Sequence, residues 1–483
     1  EAYDSLKEII ENGRCVEDTL DAYYLHATIL HSCGETEEAY TIIREVLSHL
    51  KETIPDSLDM KELLVVIQET GGMVARMSDN DILEMKETDS TSLRFTLKFY
   101  NLLCSVIFFS ASNVIPFCCC RMVRLTLEHG MCQDSVLGIA LYGAVICQGA
   151  KQTSAIREMG RVGKIATKLL KRFDSSAIMP SVYHCYYGYI ATHTVPLQVC
   201  ADNLRKGFEV GMSSGKYVFA AFFCSINLVR AAFLSGQNLS TLLKETDYHL
   251  QVMTQFRNKM TIPYVTAFRE TISILIDKGQ SAGSWNEHDI TINAVYAQRC
   301  KETVYFNKSL QSFWLGHTQR FTHYSKKLLE IQSLGSHNRL TILFYAALNA
   351  FRGVKNNARS GSKFTTAKLR YKEAISALKP SAELSPLNFS NKVHLLEAEM
   401  LALEGKPLQA KSSYAASITS FCSVGYVQEH GLACELAGNH YKRIGEAETA
   451  LDFFEQSRRS YMGWGSKMKV DFITQKIENI HRN

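Results

Sequence analysis

Apolar residues recur at three- and four-residue steps through most of this chain, the spacing that gathers them on one face of an α-helix. The pattern is plainest near the C-terminus, where Leu432, Ala433, Leu436, Ala437, Tyr441 and Ile444 form one stripe. After Gly445, a second stripe follows in Ala447, Ala450, Leu451, Phe454, Ser457 and Tyr461, with Glu446, Glu448, Asp452 and Glu455 on other faces. Two facing stripes joined at a glycine predict an antiparallel helical hairpin.

The same grammar occurs one step earlier. Val393, Leu396, Met400 and Leu403 lead to Gly405, and Leu408, Ala410, Tyr414 and Ile418 follow, so the turn glycine recurs after 40 residues. That period is slightly above the about 34 of a tetratricopeptide repeat. Ala398 and Ala410 answer Gly438 and Ala450, and Ala27 and Ala39 flank Gly34 in a third copy between Ala22 and Leu50. Small residues at these places let two helices cross closely. Glu35, Glu37 and Glu38 open the second helix of that third copy, where negative charge favours the helix dipole.

Between these copies the repeat is degenerate but helical, with hairpins expected over Glu128–Phe173 and Tyr183–Gly236 and further elements over Trp314–Leu334 and Arg339–Pro380. No segment alternates with a period of two, so essentially no sheet is expected. The fold class is all-α, a right-handed α-solenoid of degenerate tetratricopeptide-like hairpins. Three sections are expected: N-terminal hairpins over 1–130, degenerate repeats over 131–335, and C-terminal hairpins over 336–483 ending in the Trp464-Gly465 joint.

Phe99 to Cys120 is free of charge for 22 positions, long enough to span a bilayer. Its polar cluster of Asn101, Ser105, Ser110, Ser112, Asn113 and Pro116 suits two buried helices joined by a turn instead, and no membrane span is expected. With 483 residues, 8 prolines and 28 glycines, the chain suits several domains or a long helical array. A net charge of +5 implies no chain-wide affinity for nucleic acid. Fourteen cysteines show no recurring spacing apart from Cys118-Cys119-Cys120, a run that reads as small apolar filler, and a reducing, cytoplasmic setting is expected. The sequons at Asn238, Asn307 and Asn388 are then accidental. The opening residues begin mid-pattern without an initiator Met, which looks like a segment of a longer chain.

Gly463-Trp464-Gly465-Ser466-Lys467 imitates a phosphate loop but follows a helix rather than a strand and lacks the G-x-x-x-x-G-K spacing, so its glycines are expected to end a helix in a left-handed residue. Gly361-Ser362-Lys363 is a weaker imitation. No H-E-x-x-H or C-x-x-C motif occurs. His184 and Cys185 are sequence neighbours and read as core, as do Tyr183, Tyr186, Tyr187 and Tyr189. No catalytic, cofactor-binding or metal-ligating residue is singled out. One basic run, Arg352, Lys355, Arg359, Lys363, Lys368, Arg370 and Lys372, reads as a solvated loop, and thin aromatic interleaving disfavours nucleic acid.

The segment from Glu429 to Ile473 resembles the end of the helical-repeat region in giant multidomain signalling proteins. In those, an AAA-type or STAND ATPase follows an optional protein-kinase-like domain and precedes GAF or PAS modules and a histidine kinase or cyclase. The likeness rests on Ala433, Glu435, Leu436, Ala437, Tyr441 and Gly445, then Tyr461, Trp464, Gly465, Lys469 and Val470. Ser466 and Met468 stand where that family usually has alanine, and Asn439 and His440 where it has aliphatic or aromatic residues. Arg121–Ile146, with His129 for a tyrosine, and Lys206–Leu242 are similar to upstream elements of the same region.

The resemblance implies a non-catalytic segment that relays a signal between domains. ATP and Mg would belong to the parent enzyme, before Glu1, and protein partners or adjacent domains would be the contacts. The other reading is a free-standing scaffold or nucleic-acid-binding adaptor.

Overall fold

The computed structural model describes residues 2–108, 113–149, 152–173, 177–215, 218–277, 294–331, 336–354 and 361–482. Among these the architecture is all-α, and the one departure is an isolated bridge between Glu87 and Met131. Ser110, Ser112, Lys355 and Arg359 lie outside the described residues.

In chain order the helices are α1 (Ala2–Asn12), α2 (Val16–Cys33), α3 (Thr36–His49), α4 (Met60–Ala75), α5 (Asp79–Leu83), α6 (Thr91–Val106), α7 (Val114–His129) and α8 (Gln133–Gly149). Then come α9 (Thr153–Arg172), α10 (Met179–Cys185), α11 (Leu197–Ser214), α12 (Val218–Leu234), α13 (Leu239–Gln255), α14 (Ile262–Ile276), α15 (Ala294–Trp314) and α16 (Thr318–Leu329). The last are α17 (Ser336–Arg352), α18 (Ser362–Leu384), α19 (Pro386–Leu403), α20 (Pro407–Val424), α21 (Val427–Arg443), α22 (Ala447–Trp464) and α23 (Lys467–His481). The chain forms two compact units, one of residues 1–146, 161–186 and 292–299, the other of 147–160, 187–291 and 300–483.

In the first unit α2 and α3 form the hairpin expected around Gly34, which takes a left-handed φ of 90°, and Ala27 and Ala39 are fully buried. The uncharged stretch from Phe99 resolves into α6 and α7, and no described helix is long and apolar enough to cross a membrane. Cys118, Cys119 and Cys120 are buried and free, filling the core beside α6. Glu52 is held between Arg121, at 2.8 Å, and the Tyr100 hydroxyl, at 2.8 Å. His184 and Cys185 are buried, as the sequence implied. The run they belong to is not one hairpin, however, because α10 passes into a π turn at Tyr186–Ile190 and a 3-10 turn at Ala191–His193.

In the second unit the 40-residue period is structural. Gly405 and Gly445, and likewise Gly425 and Gly465, all adopt positive φ between 72° and 87°. Ala398, Ala410 and Ala450 have no exposed surface, and a Cβ on Gly438 would sit 2.8 Å from the Phe454 ring. Each hairpin is also tied by one equivalent bond: the Ser417 hydroxyl donates to the Asn391 carbonyl at 2.9 Å, and Ser457 donates to Gly431 at 2.7 Å. Ser457→Ala is expected to cost about 1 kcal/mol in urea unfolding, as is Ser417→Ala. Two very different values would mean that the bonds are not equivalent.

Several details differ from the periodic reading. Leu408 is 76% exposed and Ile444 38%, although both fall on the apolar stripes; the inward positions of α20 are Ala410, Tyr414, Ser417 and Phe421. Gly463 lies inside α22, and only Gly465 is left-handed. Pro380 does not end its element, since α18 runs on to Leu384. Two of the sequon asparagines, Asn307 and Asn388, are buried, and the Asn388 amide donates to the Thr192 and Val195 carbonyls.

A second layer was invisible to periodicity. The starts of α19, α21 and α23 are each fastened to successive turns of α11–α14. Asn388 holds the segment before α11, Gln428 donates to the Leu234 carbonyl at 2.6 Å, and the Ser466 hydroxyl donates to Leu275 at 2.7 Å. Trp464 completes this seam, fully buried against Phe233 and Trp314. The GWGSK segment is therefore a helix joint.

Candidate functional site

The joint leads into a cluster of charged side chains inside the second unit. Lys469, Phe472 and Lys476 are spaced by three and four residues and so share one face of α23, while Glu435 and Asn439, four apart, share a face of α21. Between them, Glu435 accepts from Lys469 Nζ at 2.7 Å and the Tyr461 hydroxyl at 2.9 Å through Oε2, and from Lys476 Nζ at 3.1 Å through Oε1. Lys476 also donates to Asn439 Oδ1 at 3.1 Å. From the end of α17, Arg352 lays its guanidinium 4.0 Å over the Phe313 ring and donates to the Phe313 carbonyl at 2.9 Å. Arg352, Glu435, Asn439, Lys469 and Lys476 line a cleft of about 590 Å³ together with Trp314, Leu436 and Phe472.

Burial alone would push the Glu435 carboxyl up, but the charges of Lys469, Lys476 and Arg352 outweigh it and hold the group below the usual carboxylate range. For Lys469 the balance is opposite: burial lowers its pKa, and Glu435 offsets this only in part. The two partners differ because three cations share one carboxylate. Burial likewise lowers Arg352, which is half-buried and lines the cleft.

Arg352, expected in a solvated basic loop, is instead the last residue of α17, drawn inward by Phe313. Lys363, Lys368 and Lys372 are exposed on α18, and Arg370 is paired with Glu373 at 2.7 Å. Glu435, Tyr461, Trp464 and Lys469, quoted for their family likeness, prove to be packing and ion-pair residues of one cluster. Lys476 was missed, and its only sequence signal is its place seven residues after Lys469 on the same helical face. Among the described residues no group of three or more His, Cys, Asp or Glu side chains could hold a metal ion.

No family model matches the chain, and no curated protein matches it. Among solved structures it is similar to a "Circular tandem repeat protein with novel repeat topology and enhanced subunit contact surfaces", at 13% identity over 100% of this chain and 94% of that one. The TM-score is 0.13, so the two backbones do not superpose as wholes.

Proposed function

We propose that this chain is a non-catalytic helical-repeat segment for protein interaction and signal relay, within a multidomain signal-transduction protein of the ATPase-coupled sensor-kinase type. The observation that supports it best is that the signature residues Glu435, Tyr461, Trp464, Gly465 and Lys469 all serve the joint between α22 and α23. A conformational relay needs this kind of part: hairpins that contact their neighbours convert a small rotation at one joint into displacement further along. The parent would supply the ATP and Mg chemistry.

The test is the surrounding reading frame together with the output of the whole protein. A nucleotide-binding ATPase motif upstream and a kinase or cyclase downstream are expected. Lengthening the Gly465 joint by two glycines should uncouple ATP-dependent output while each catalytic domain keeps its own activity. Output unchanged by the longer joint overturns the relay. ATP hydrolysis by the isolated segment, abolished by one side-chain substitution, overturns the non-catalytic reading.

The adaptor alternative rests on the stretch from Lys363 to Lys372, since Arg352 is half-buried against Phe313. Among the described residues of the run, Lys363, Lys368 and Lys372 form an exposed basic row without an ion pair, and a Lys→Glu change at all three is expected to leave RNA retention at low salt unaltered. A measurable drop, with a salt slope that falls by about 3, would restore that alternative.

A further inference from the structure

The relay reading has no use for a cleft with surplus positive charge, and its lining is specific. We propose that the cleft between α15, α17, α21 and α23 binds a small organic anion. Its phosphate or carboxylate oxygens are taken by Arg352, Lys469 and Lys476, and its apolar body rests on Phe472 and Leu436.

The charges in the cleft do not balance. Inside the cleft three cations face the single carboxylate of Glu435. At the rim, Lys467 and Asp471 neutralise each other at 2.6 Å, leaving Asp277 as the remaining rim carboxylate. Glu399 also bears on Arg352, but burial pushes its carboxyl up, and it is occupied by the Tyr414 hydroxyl. Charges withdrawn from water and incompletely paired are costly, and an anion entering the cleft offsets that cost.

Elsewhere in the same unit the fold shows what a purely structural pair looks like. Lys392 and Glu429 meet at 2.6 Å with side chains 8% and 3% exposed, and Tyr345 adds its hydroxyl at 3.2 Å: one cation for one carboxylate. The cluster at Glu435 departs from that balance where the cleft opens.

The donors also remain available. A guanidinium has five N–H groups, and Arg352 gives one of them, on Nη1, to the Phe313 carbonyl. It makes no ion pair among the described residues. Lys476 keeps part of its surface in solvent, with its side chain 24% exposed. Phe472 is 44% exposed yet held between the two ammonium groups, 4.8 Å from Lys469 and 4.5 Å from Lys476. An exposed ring between one buried and one half-buried cation favours a ligand with a flat apolar body and one anionic end. The volume of about 590 Å³ lies within the ordinary range for small-molecule sites.

The experiment is calorimetric titration of the 483-residue chain with phenyl phosphate, benzoate, inorganic phosphate and neutral benzamide, with tryptophan fluorescence as a second readout. Phenyl phosphate or benzoate is expected to bind more tightly than inorganic phosphate, and benzamide is expected not to bind; whichever of the first two is tighter identifies the headgroup. Arg352→Met and Lys476→Met should each weaken binding by about 10-fold or more, the loss of one charge-assisted hydrogen bond. Circular dichroism shows whether each variant is folded, and if Arg352→Met is not, Gln475→Trp at the exposed rim replaces it and should block entry. No binding of any anion up to about 10 mM overturns the proposal, as does equal binding of benzamide or unchanged affinity in the folded variants. These outcomes leave the relay reading untouched, because that reading rests on the joint.

Discussion

Glu435→Gln is expected to destabilise the second unit by roughly 3–5 kcal/mol, the cost of leaving buried cations without their counter-charge. The substitution keeps the shape of the side chain and an oxygen for the Tyr461 hydroxyl, so nearly all of the loss is electrostatic. Lys469 and Glu435 are 5% and 6% exposed, so water cannot take over the solvation. With the carboxylate gone, Lys469 has only burial acting on it and the repulsion of Arg352 and Lys476, all of which lower its pKa. A second change, Lys469→Met, should therefore recover at least half of the loss, since it removes the charge that was stranded. Urea unfolding of the two single variants and the double variant closes the cycle. A Glu435→Gln protein within about 1 kcal/mol of the parent, or a double variant that is no better than the single, would show that the cluster is solvated rather than buried.

Acid is expected to unfold the chain well above the pH at which carboxylates titrate. Burial lowers His31, His193 and His249 to about 4, with Arg230 adding to the effect at His193. At His249, Glu245 opposes burial and Arg205 reinforces it. In the unfolded chain each takes its proton near 6.5, so between about pH 6.5 and about 4 the unfolded state binds more protons than the folded one. The stability these residues confer as neutral rings is present in full above about pH 6.5 and is lost as pH falls through that window. Each contributes roughly 2 kcal/mol to the decline by pH 5 and roughly 3 by pH 4.

The packing shows why protonation is resisted. His193 stacks on Phe389 at 5.9 Å and meets His337 edge-on, while His249 sits edge-on to Phe208 at 4.5 Å and is hydrogen-bonded to Ser225 at 3.0 Å. His249→Phe should remove roughly 2 kcal/mol of the fall in unfolding free energy between about pH 7 and about 5, measured by urea titration at each pH. A parent protein whose stability is flat over that interval would contradict the burial of all three. The Glu435 carboxyl, held below the usual range, gives up its contribution only in a lower window, so the two effects separate along the pH axis.

What could be read without coordinates was whatever depends on neighbours a few residues apart. The helical periods, the turns at Gly34, Gly405, Gly445 and Gly465, and the close crossings at Ala398/Ala410 and Gly438/Ala450 are local matters of backbone hydrogen bonding, φ and the room a Cβ needs. The 40-residue spacing carried them correctly from one hairpin to the next, and the joint at Trp464-Gly465 could be told from a phosphate loop because a helix precedes it. Where each stripe met solvent at its ends was misjudged, as Leu408 and Ile444 show, because helical phase alone does not say how far a turn projects beyond its neighbour.

Tertiary structure alone decided which side chains came to share an interior. Gln428 reaches Leu234, and Ser466 reaches Leu275, over more than 190 residues of chain, and no window of sequence contains both partners. Arg352 stood in a basic run and looked solvated; the ring and carbonyl of Phe313, on a different helix, turned it inward. Lys476 became a partner of Glu435 only when α23 was laid against α21. Composition records that a charge exists, whereas its dielectric surroundings and counter-ion are set by segments that meet only in the folded chain.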